Sequence, residues 1–281
     1  MQGHWITQEQ LQNFAEELRR QERCPGTIEK YLRDTQVFLA WLDGKAVERE
    51  TAAEWKSALL ESGLAPVTVN SMLAAVNKFF AVVGWQECRV KPLRIQRRLF
   101  RDACRELTQE EYFRLLHAAH VLGRERLELL LETICATGIR VSEVRSITVE
   151  AARCGRAEIS MKGKIRTILL PEKLCRKLLK YARKQKTASG EIFLTRGGRG
   201  LSRRQIWAEM KAICGKAGVP PEKVFPHNLR HLFARTFYKV CRDVVKLADV
   251  LGHSSVETTR IYLISSGSEH AKTLNLLRLI C

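Results

Sequence analysis

The sequence predicts a mainly α protein of two domains, the second of which is α+β because it contains a small β-hairpin. The chain has 281 residues, a length that suits two ordinary domains or one large one. Apolar residues recur at helical spacing through roughly the first 85 residues, with short connections between the periodic segments. Residues 157–161 and 165–170 alternate instead and flank a Lys-Gly-Lys turn, the pattern of a β-hairpin.

The N-terminal third is expected to form a four-helix domain over residues 1–87. Thr7 and Gln10 have the spacing of a capping box, and Cys24-Pro25-Gly26 is expected to end the first helix. Gly84 is expected to end the fourth helix. The predicted starts or caps of the four helices are Thr7, Thr27, Thr51 and Pro66. Helices of this length with short connections are typical of a small bundle.

Residues 88–106 are interpreted as a basic linker, and residues 107–281 as a second domain with a helical C-terminal tail. The linker contains Pro92, many Arg and Lys residues and only a weak apolar pattern. Both a solvated connector and a segment that neutralises phosphates fit that composition.

Helices also dominate the prediction for the second domain. Thr108 and Glu111 form a capping box, and Ser202 is expected to start a helix. Arg140 follows the glycine that ends an apolar helix and is expected to open another helix. The remaining expected elements are helices over 127–136, 173–184, from Pro226, over 243–250 and over 256–263, a short strand over 191–194, and an apolar helical tail within 264–281.

The charge distribution indicates a polyanionic partner. The chain has 48 Lys and Arg residues against 30 Asp and Glu residues, a net charge of +18. Residues 99–281 hold 34 basic and 18 acidic residues, whereas residues 1–98 hold 14 and 12. A soluble basic surface is the alternative. A membrane surface fits less well, because the basic residues are not gathered along one amphipathic helix.

The sequence disfavours several other classes. Its 9 cysteines are odd in number and form no Cys-x-x-Cys pair, which favours reduced thiols in a cytoplasmic protein over a zinc site. The Gly-rich stretch 195–200 lacks the Gly-Lys-Ser/Thr of a nucleotide P-loop, and no Gly-x-Gly-x-x-Gly motif occurs. Neither a membrane-spanning apolar run nor a signal peptide is visible. No cofactor, no metal and no membrane attachment are therefore expected.

Side chains suited to phosphate chemistry concentrate in the stretch 226–262. His227 and Arg230 are three residues apart, so they share one face of a helix. Arginine suits phosphate because its planar fork of N–H donors matches the oxygens and stays charged. The candidate catalytic residues, two of which arrive from upstream, are Arg140, Lys162, His227, Arg230, His253 and Tyr262.

These residues stand in boxes that resemble the tyrosine recombinase (phage integrase) family, and within it the compact Xer type. The likeness covers residues 105–265 firmly and the N-terminal third more loosely. One departure is Leu232, which stands where the family often has Thr and is interpreted as a packing change. The boxes are Thr-Gly-Ile-Arg-Val-Ser-Glu at 137–143, a Lys-Gly step at 162–163, His-Asn-Leu-Arg at 227–230, Leu-Gly-His-Ser-Ser at 251–255 and a tyrosine at 262, nine residues after His253.

The resemblance implies an N-terminal DNA-binding domain and a catalytic domain that cleaves and rejoins DNA through a 3′-phosphotyrosyl intermediate, without metal or ATP. Tyr262 would be the nucleophile. Arg140 and Arg230 would hold the non-bridging oxygens of the phosphate, where negative charge develops. The covalent intermediate would conserve the bond energy, so that a second DNA end is joined without ATP.

The resemblance also assigns the proton transfers. His227 would assist proton transfer at the tyrosine, and Lys162 would give a proton to the leaving 5′ oxygen. Lys164, two residues on, is the alternative to Lys162. His253 would hydrogen-bond a phosphate oxygen, and His231 is expected to pack or bond locally.

Basic and aromatic side chains outside these boxes are candidate DNA contacts. Tyr31 fits the core of the first domain equally well. The arginines at 199, 203 and 204 fit a solvated basic face equally well. The candidates are Lys30, Tyr31, Arg33, Lys91, Arg94, Arg97, Arg98, Arg199, Arg203 and Arg204.

The expected partner is double-stranded DNA, held in a C-shaped clamp by a protein that is monomeric when free and a homotetramer in the synaptic complex. The apolar tail after Gly267 is expected to dock either on a neighbouring subunit or on its own domain. Mobile-element integration or excision and chromosome-dimer resolution all fit. A topoisomerase IB-like nicking and resealing enzyme and an inactive DNA-binding regulator remain alternatives.

Overall fold

The computed structural model describes residues 3–95, 103–161, 164–262 and 275–276. The chain divides into two compact units, Met1–Arg97 and Arg98–Cys281. The finer division into two domains and a linker over 88–106 stays a prediction. As predicted, the described residues are mainly helical with one small antiparallel β-sheet.

The N-terminal unit is built around an aromatic core. Phe38 lies 4.9 Å from Trp55 between ring centroids, and Phe79 meets Phe14 edge-on at 5.5 Å. All four side chains are buried, and such pairs add to the free energy gained from burial of their apolar area. The helices that supply this core are α1 (Gln8–Arg20), α2 (Pro25–Leu42), α3 (Thr51–Glu61) and α4 (Pro66–Val83).

Of the predicted starts of the first three helices, the first is confirmed and the next two differ in the structure. Thr7 caps α1 and forms the predicted capping box with Gln10. The predicted start of α2 at Thr27 is wrong, because α2 begins at Pro25, where proline has a suitable φ and needs no hydrogen-bond acceptor for its nitrogen. Thr51 is the first residue of α3 and not its cap, and its hydroxyl instead accepts from Glu48 N at 2.8 Å.

Helix α4 is long and apolar enough to cross a membrane by length and composition, with a mean hydropathy of 1.3. In the structure, however, its apolar face packs into the protein core. Leu73, Val76, Phe79 and Phe80 are fully buried in the core of the N-terminal unit. About a third of the helix is buried in this way, and these residues form the apolar face that packs against its neighbouring helices.

Two asparagines of α4 hold the chain that follows the helix. Asn77 donates its amide to Val90 O at 2.8 Å and accepts from Val90 N at 2.9 Å. Asn70, two turns earlier, makes the same pair of bonds with Leu93, at 2.9 and 2.7 Å. Four otherwise unpaired backbone groups are thus satisfied. The first part of the basic segment at 88–95 is fixed to the N-terminal unit.

The second unit is a helical body that carries one β-hairpin. Strands β1 (Arg156–Met161) and β2 (Lys164–Leu169) are antiparallel, with Met161 opposite Lys164. The α-helices of its described residues are α5 (Gln109–Val121), α6 (Glu125–Thr137), α7 (Val149–Cys154), α8 (Glu172–Lys184), α9 (Arg203–Lys211), α10 (Cys214–Ala217), α11 (Pro226–Cys241), α12 (Val244–Leu251) and α13 (Val256–Arg260).

Most predicted elements of this unit are present, including the capping box of Thr108 with Glu111 and the helix expected from Ser202, which Ser202 caps together with Gln205. The strand predicted over 191–194 is wrong. There, Glu191 and Leu194 make only isolated bridges, because Ile192 and Phe193 turn into the core with no neighbouring strand to extend. The helix expected after Arg140 is a short 3-10 helix, Val141–Ser146.

Helix α11 is anchored to the start of the second unit. Asn228 donates to Arg105 O and to Lys223 O, both at 2.8 Å. Two turns further, Arg235 pairs with Glu106 and donates to Leu107 O at 2.7 Å. These contacts fix the helix that bears His227 and Arg230.

Candidate active site

Arg140 lies at the end of a tight connection that only glycine permits. Gly138 ends α6 with φ +63°, and a Cβ atom there would lie 2.3 Å from Phe233 Cδ1. Arg140 then donates its backbone N–H to Glu143 Oε2 at 2.7 Å and Nη1–H to Glu143 Oε1 at 2.9 Å. Its other terminal nitrogen lies 3.4 Å from Gly252 O. The guanidinium is thereby aimed at the turn before His253.

Glu143 is shared between two arginines from different elements. The carboxylate is buried, and its Oε2 also accepts from Arg166 of β2 at 2.5 Å. Arg166 further donates to Val250 O at 3.3 Å, and a Cβ atom on Gly252 would lie 2.3 Å from Arg166 Cδ. Burial lowers the pKa of Arg166, and Glu143 opposes that shift. The ion-pair cluster ties β2 to both the Arg140 turn and the Gly252 turn.

Arg230 is as deeply buried as Glu143, each only 2% exposed. Its guanidinium donates to Gly138 O at 2.5 Å and to Leu251 O at 2.8 Å. Burial lowers the pKa of Arg230, and a hydrogen bond with Tyr262 opposes that shift. A buried guanidinium held by carbonyl groups is rigidly placed and still charged.

His253 contacts the same guanidinium. Its Nε2 lies 2.9 Å from Arg230 Nη2, and its Nδ1 lies 2.8 Å from Thr259 Oγ1. Burial, and then the positive charges of Arg230, Arg140 and Arg166, lower the pKa of His253 to about 4. The ring is therefore neutral at physiological pH.

Tyr262 lies immediately after α13, not within the helix predicted over 256–263, since α13 ends at Arg260. The residue is 3% exposed and belongs to a small apolar cluster with Ala234, Leu247 and Leu251. Its ring stacks near His253, with centroids 5.8 Å apart. An apolar support thus holds the Tyr262 ring beside His253, which itself contacts the Arg230 guanidinium.

His227 and His231 complete the group along one face of α11. Their rings are 4.5 Å apart, and the His231 ring meets Tyr262 edge-on at 4.5 Å, whereas the His227 ring is 6.4 Å from Tyr262. His227 keeps an exposed surface. Partial withdrawal from water, followed by the charges of Arg230 and Arg140, lowers its pKa. The neutral ring is the form able to accept a proton.

Five of the six predicted catalytic residues therefore gather at one place. Lys162 lies outside the described residues. Sequence reasoning missed two residues of the gathering, Arg166 and Thr259. His231 packs locally, as expected, with its ring against His227 and Tyr262. Only Arg166 could have been found from the sequence pattern. It lies two residues before the buried Ile168 and so shares the inward face of β2.

The predicted DNA contacts fall into three groups. Lys30 and Arg33 both pair with the buried carboxylate of Asp34, Arg33 at 3.3 Å, and Tyr31 is half-buried against the N-terminal core. Arg97 and Arg98 lie outside the described residues. The remaining candidates, all exposed, are Lys91, Arg94, Arg199, Arg203 and Arg204.

One group in the described residues offers atoms suited to a metal ion, in the N-terminal unit. His4, Glu87 and Cys88 have ligand atoms within 4.8 Å of one another. His4 Nε2 is already hydrogen-bonded to Glu87 at 2.8 Å, and its ring stacks on Trp85. Burial raises the pKa of the Cys88 thiol, which disfavours the thiolate that a metal binds. The absence of a metal cofactor stays a prediction.

Two family models match the chain. The phage integrase family matches residues 105–269, and the N-terminal SAM-like domain of phage integrases matches residues 11–87. The first match contains all six candidate catalytic residues.

Curated relatives align along nearly the whole chain. Tyrosine recombinase XerD of Xanthomonas campestris is 29% identical over 276 residues, which covers 89% of this chain and 84% of the relative. Tyrosine recombinase XerA of Pyrococcus furiosus is 27% identical over 271 residues, with coverages of 93% and 91%.

Solved structures share the fold. The Tn1549 transposon integrase in complex with transposon right end DNA has a TM-score of 0.70 at 17% identity, covering 96% of this chain and 99% of that one. The XerH site-specific recombinase bound to its difH substrate has a TM-score of 0.67 at 21% identity, with coverages of 95% and 84%.

Proposed function

The chain belongs to the phage integrase family, and from that premise we propose that it is a site-specific tyrosine recombinase that cleaves and rejoins double-stranded DNA. The observation that carries the proposal is that the buried Arg230 guanidinium lies 2.9 Å from His253 Nε2, while the Tyr262 ring stacks near His253 with centroids 5.8 Å apart. A fixed cation can bind a phosphodiester, and a phenol held nearby can attack that phosphodiester as the nucleophile.

Arg140 and Arg230 are proposed to bind the non-bridging oxygens of the scissile phosphate. Negative charge grows on these oxygens as the phosphorus is attacked, and preorganised cations stabilise that charge without reorganisation. Glu143 supports the proposal for Arg140, because its buried carboxylate holds the guanidinium in place. Gly138 O and Leu251 O do the same for Arg230.

Tyr262 is proposed to attack the phosphorus through its phenolic oxygen. The P–O bond to the 5′ oxygen breaks and a 3′-phosphotyrosyl bond forms. The energy of the phosphodiester bond is therefore conserved in the intermediate and is not released by hydrolysis. His227, neutral and on the same helix face as Arg230, is proposed to assist removal of the phenolic proton. The neutral state suits that role, since an imidazolium has no lone pair to offer.

Lys162 is proposed to return a proton to the leaving 5′ oxygen. Arg166 contacts Glu143, in the turn that follows Arg140, and Val250 O, just before the Gly252 turn, so strand β2 is fixed to the rest of the site. His253 is proposed to hydrogen-bond a phosphate oxygen beside Arg230.

The wider assembly follows from the reaction. Exchange of strands between two DNA sites needs four cleavages, so we propose a homotetramer in the synaptic complex, formed on DNA from free monomers in the cytoplasm. Within the N-terminal unit, the exposed side chains of Lys91 and Arg94 are proposed to contact phosphates. In the second unit the same role is proposed for Arg199, Arg203 and Arg204, which surround the start of α9.

Covalent capture in cells tests the proposal. Cells that express the protein are lysed under denaturing conditions, and DNA that stays attached to the protein is sequenced. The wild-type protein is expected to yield DNA with a common sequence at the attached end. Tyr262→Phe is expected to yield none, whereas Tyr238→Phe, a half-buried tyrosine of α11, is expected to match the wild type. Equal recovery from wild type and Tyr262→Phe would exclude Tyr262 as the nucleophile, and no recovery from either would favour a protein that only binds DNA.

A further inference from the structure

We infer that Thr259 is a positioning residue that orients the His253 ring and fixes which ring nitrogen faces the proposed phosphate site. The inference rests on the proposed strand-cleavage reaction. It is carried by two contacts on opposite edges of one ring, Nδ1 to Thr259 Oγ1 at 2.8 Å and Nε2 to Arg230 Nη2 at 2.9 Å.

The two contacts assign the tautomer of His253. A guanidinium has only donors, so Nε2 of the ring must accept from Arg230 and carries no hydrogen. The hydrogen of the neutral ring is then on Nδ1, where it donates to the hydroxyl oxygen of Thr259. Both edges of the ring are satisfied by this one tautomer, and by no other neutral form.

Thr259 also contacts the proposed nucleophile, through its backbone. Its carbonyl accepts from Tyr262 N at 3.0 Å, just past the end of α13, and its side chain is fully buried. One residue therefore links the orientation of the histidine to the position of the tyrosine. Removal of the buried Thr259 hydroxyl is costly, because the Nδ1–H of His253 then has no acceptor.

The hydroxyl can also support the opposite tautomer. A threonine hydroxyl both accepts and donates, so when a phosphate oxygen takes the place of the Arg230 contact, Oγ1–H can donate to a bare Nδ1. Nε2–H then donates to the phosphate. One proton leaves Nδ1 to solvent and one arrives at Nε2, so the ring stays neutral beside Arg140, Arg166 and Arg230. Valine, with the same shape and no hydroxyl, supports neither state.

Histidine-selective nitrogen-15 NMR of the full-length protein without DNA tests the contact itself. The wild type is expected to show a slowly exchanging Nδ1–H and an unprotonated Nε2 for His253, a signal assigned by its loss in His253→Gln. Thr259→Ser is expected to keep the Nδ1–H signal and Thr259→Val to lose it. Thr258→Val, one residue earlier and exposed, is the matched control. A wild-type ring protonated at Nε2 would overturn the inference.

Single-turnover formation of the covalent complex tests the consequence, with a nicked duplex that carries the sequence recovered by covalent capture. Thr259→Val is expected to react about tenfold more slowly, the cost of one buried hydrogen bond, with Thr259→Ser near the wild type. Equal rates for Thr259→Val and wild type, or equal losses for the Val and Ser variants, would overturn the inference. If Thr259→Val does not fold, Thr259→Ala takes its place in both experiments. Failure of the wild type to react would instead refute the proposed function, while the NMR result would still report on Thr259.

Discussion

Glu143 Oε2 lies 2.5 Å from Arg166 Nη2, and this ion pair joins the turn that follows Arg140 to the second strand of the hairpin. The same carboxylate holds Arg140 through its other oxygen, at 2.9 Å. One buried acid thereby organises two cations that belong to separate elements. Removal of such a partner leaves buried charges uncompensated, which is more costly than the pair itself is favourable.

Glu143→Ala is therefore expected to lower the free energy of unfolding by about 3 kcal/mol, because the largely buried Arg166, whose side chain is 16% exposed, loses its counter-charge. Denaturant unfolding at neutral pH measures the change. Glu158→Ala, an exposed acid of β1, is the control and is expected to change stability by less than about 0.5 kcal/mol. Equal, small effects of the two substitutions would show that the Arg140–Glu143–Arg166 cluster contributes little.

Gly252→Ala is expected to damage the site more than its backbone conformation alone explains. Gly252 and Gly155 both have positive φ, +63° and +69°, so alanine at either position costs about 1 kcal/mol in backbone conformation. A Cβ atom at Gly252 would also lie 2.3 Å from Arg166 Cδ, whereas nothing lies within 4 Å of one at Gly155. The midpoint temperature of thermal unfolding and the rate of covalent-complex formation should both fall further for Gly252→Ala than for Gly155→Ala. Equal effects would mean that Arg166 moves aside freely.

Stability is expected to fall between neutral pH and about pH 5 because the half-buried His253 is neutral in the folded protein. The unfolded chain binds a proton below its ordinary pKa near 6.5, whereas the folded chain does so only near its lowered pKa of about 4. Protons are therefore taken up preferentially by the unfolded state in this window. After allowance for partial exposure, the contribution lost is about 1 kcal/mol.

His253→Gln tests the origin of that pH dependence. The variant should lose less unfolding free energy than the wild type over the same pH range. His227, whose pKa is lowered in the same direction, remains in both proteins and its contribution cancels in the comparison. Parallel pH curves for wild type and His253→Gln would contradict a neutral, half-buried His253.

Replacement of both Asn70 and Asn77 by alanine should release the segment at 90–93 from α4. The backbone amides of Val90 and Leu93 would lose their acceptors, so their hydrogen exchange should accelerate by about tenfold or more. Hydrogen exchange followed by mass spectrometry measures the effect. Asn13→Ala, an exposed asparagine of α1, is the control, and unchanged protection in the double variant would show that the asparagine contacts are dispensable.

The sequence predicts the fold where the signal is local. The capping boxes at Thr7 and Thr108 depend on residues three positions apart, and both are present. Residues 191–194 have the composition of a strand, but a strand also needs a pairing partner, which composition does not encode. The start of α2 was misplaced because Pro25 was interpreted as an interruption, although proline is equally suited to a first helical turn.

In the site, too, the features set by local sequence were predictable and those set by tertiary packing were not. The boxes around Arg140, His227, Arg230 and His253 are readable because the chemistry demands particular residue types at fixed offsets. The contact between Arg166 and Glu143 joins residues 23 positions apart in sequence and depends on how the hairpin packs. Contacts of this kind follow from tertiary structure.

The most direct measurement is mass spectrometry of the covalent protein–DNA complex formed by the purified wild-type protein on the recovered sequence. After nuclease and trypsin digestion, the peptide 261–272, in which Tyr262 is the only tyrosine, should carry a 3′-linked nucleotide phosphate. That result is predicted if Tyr262 attacks the phosphorus. A nucleotide on any other residue, or on the 5′ side of the break, would contradict the proposed mechanism.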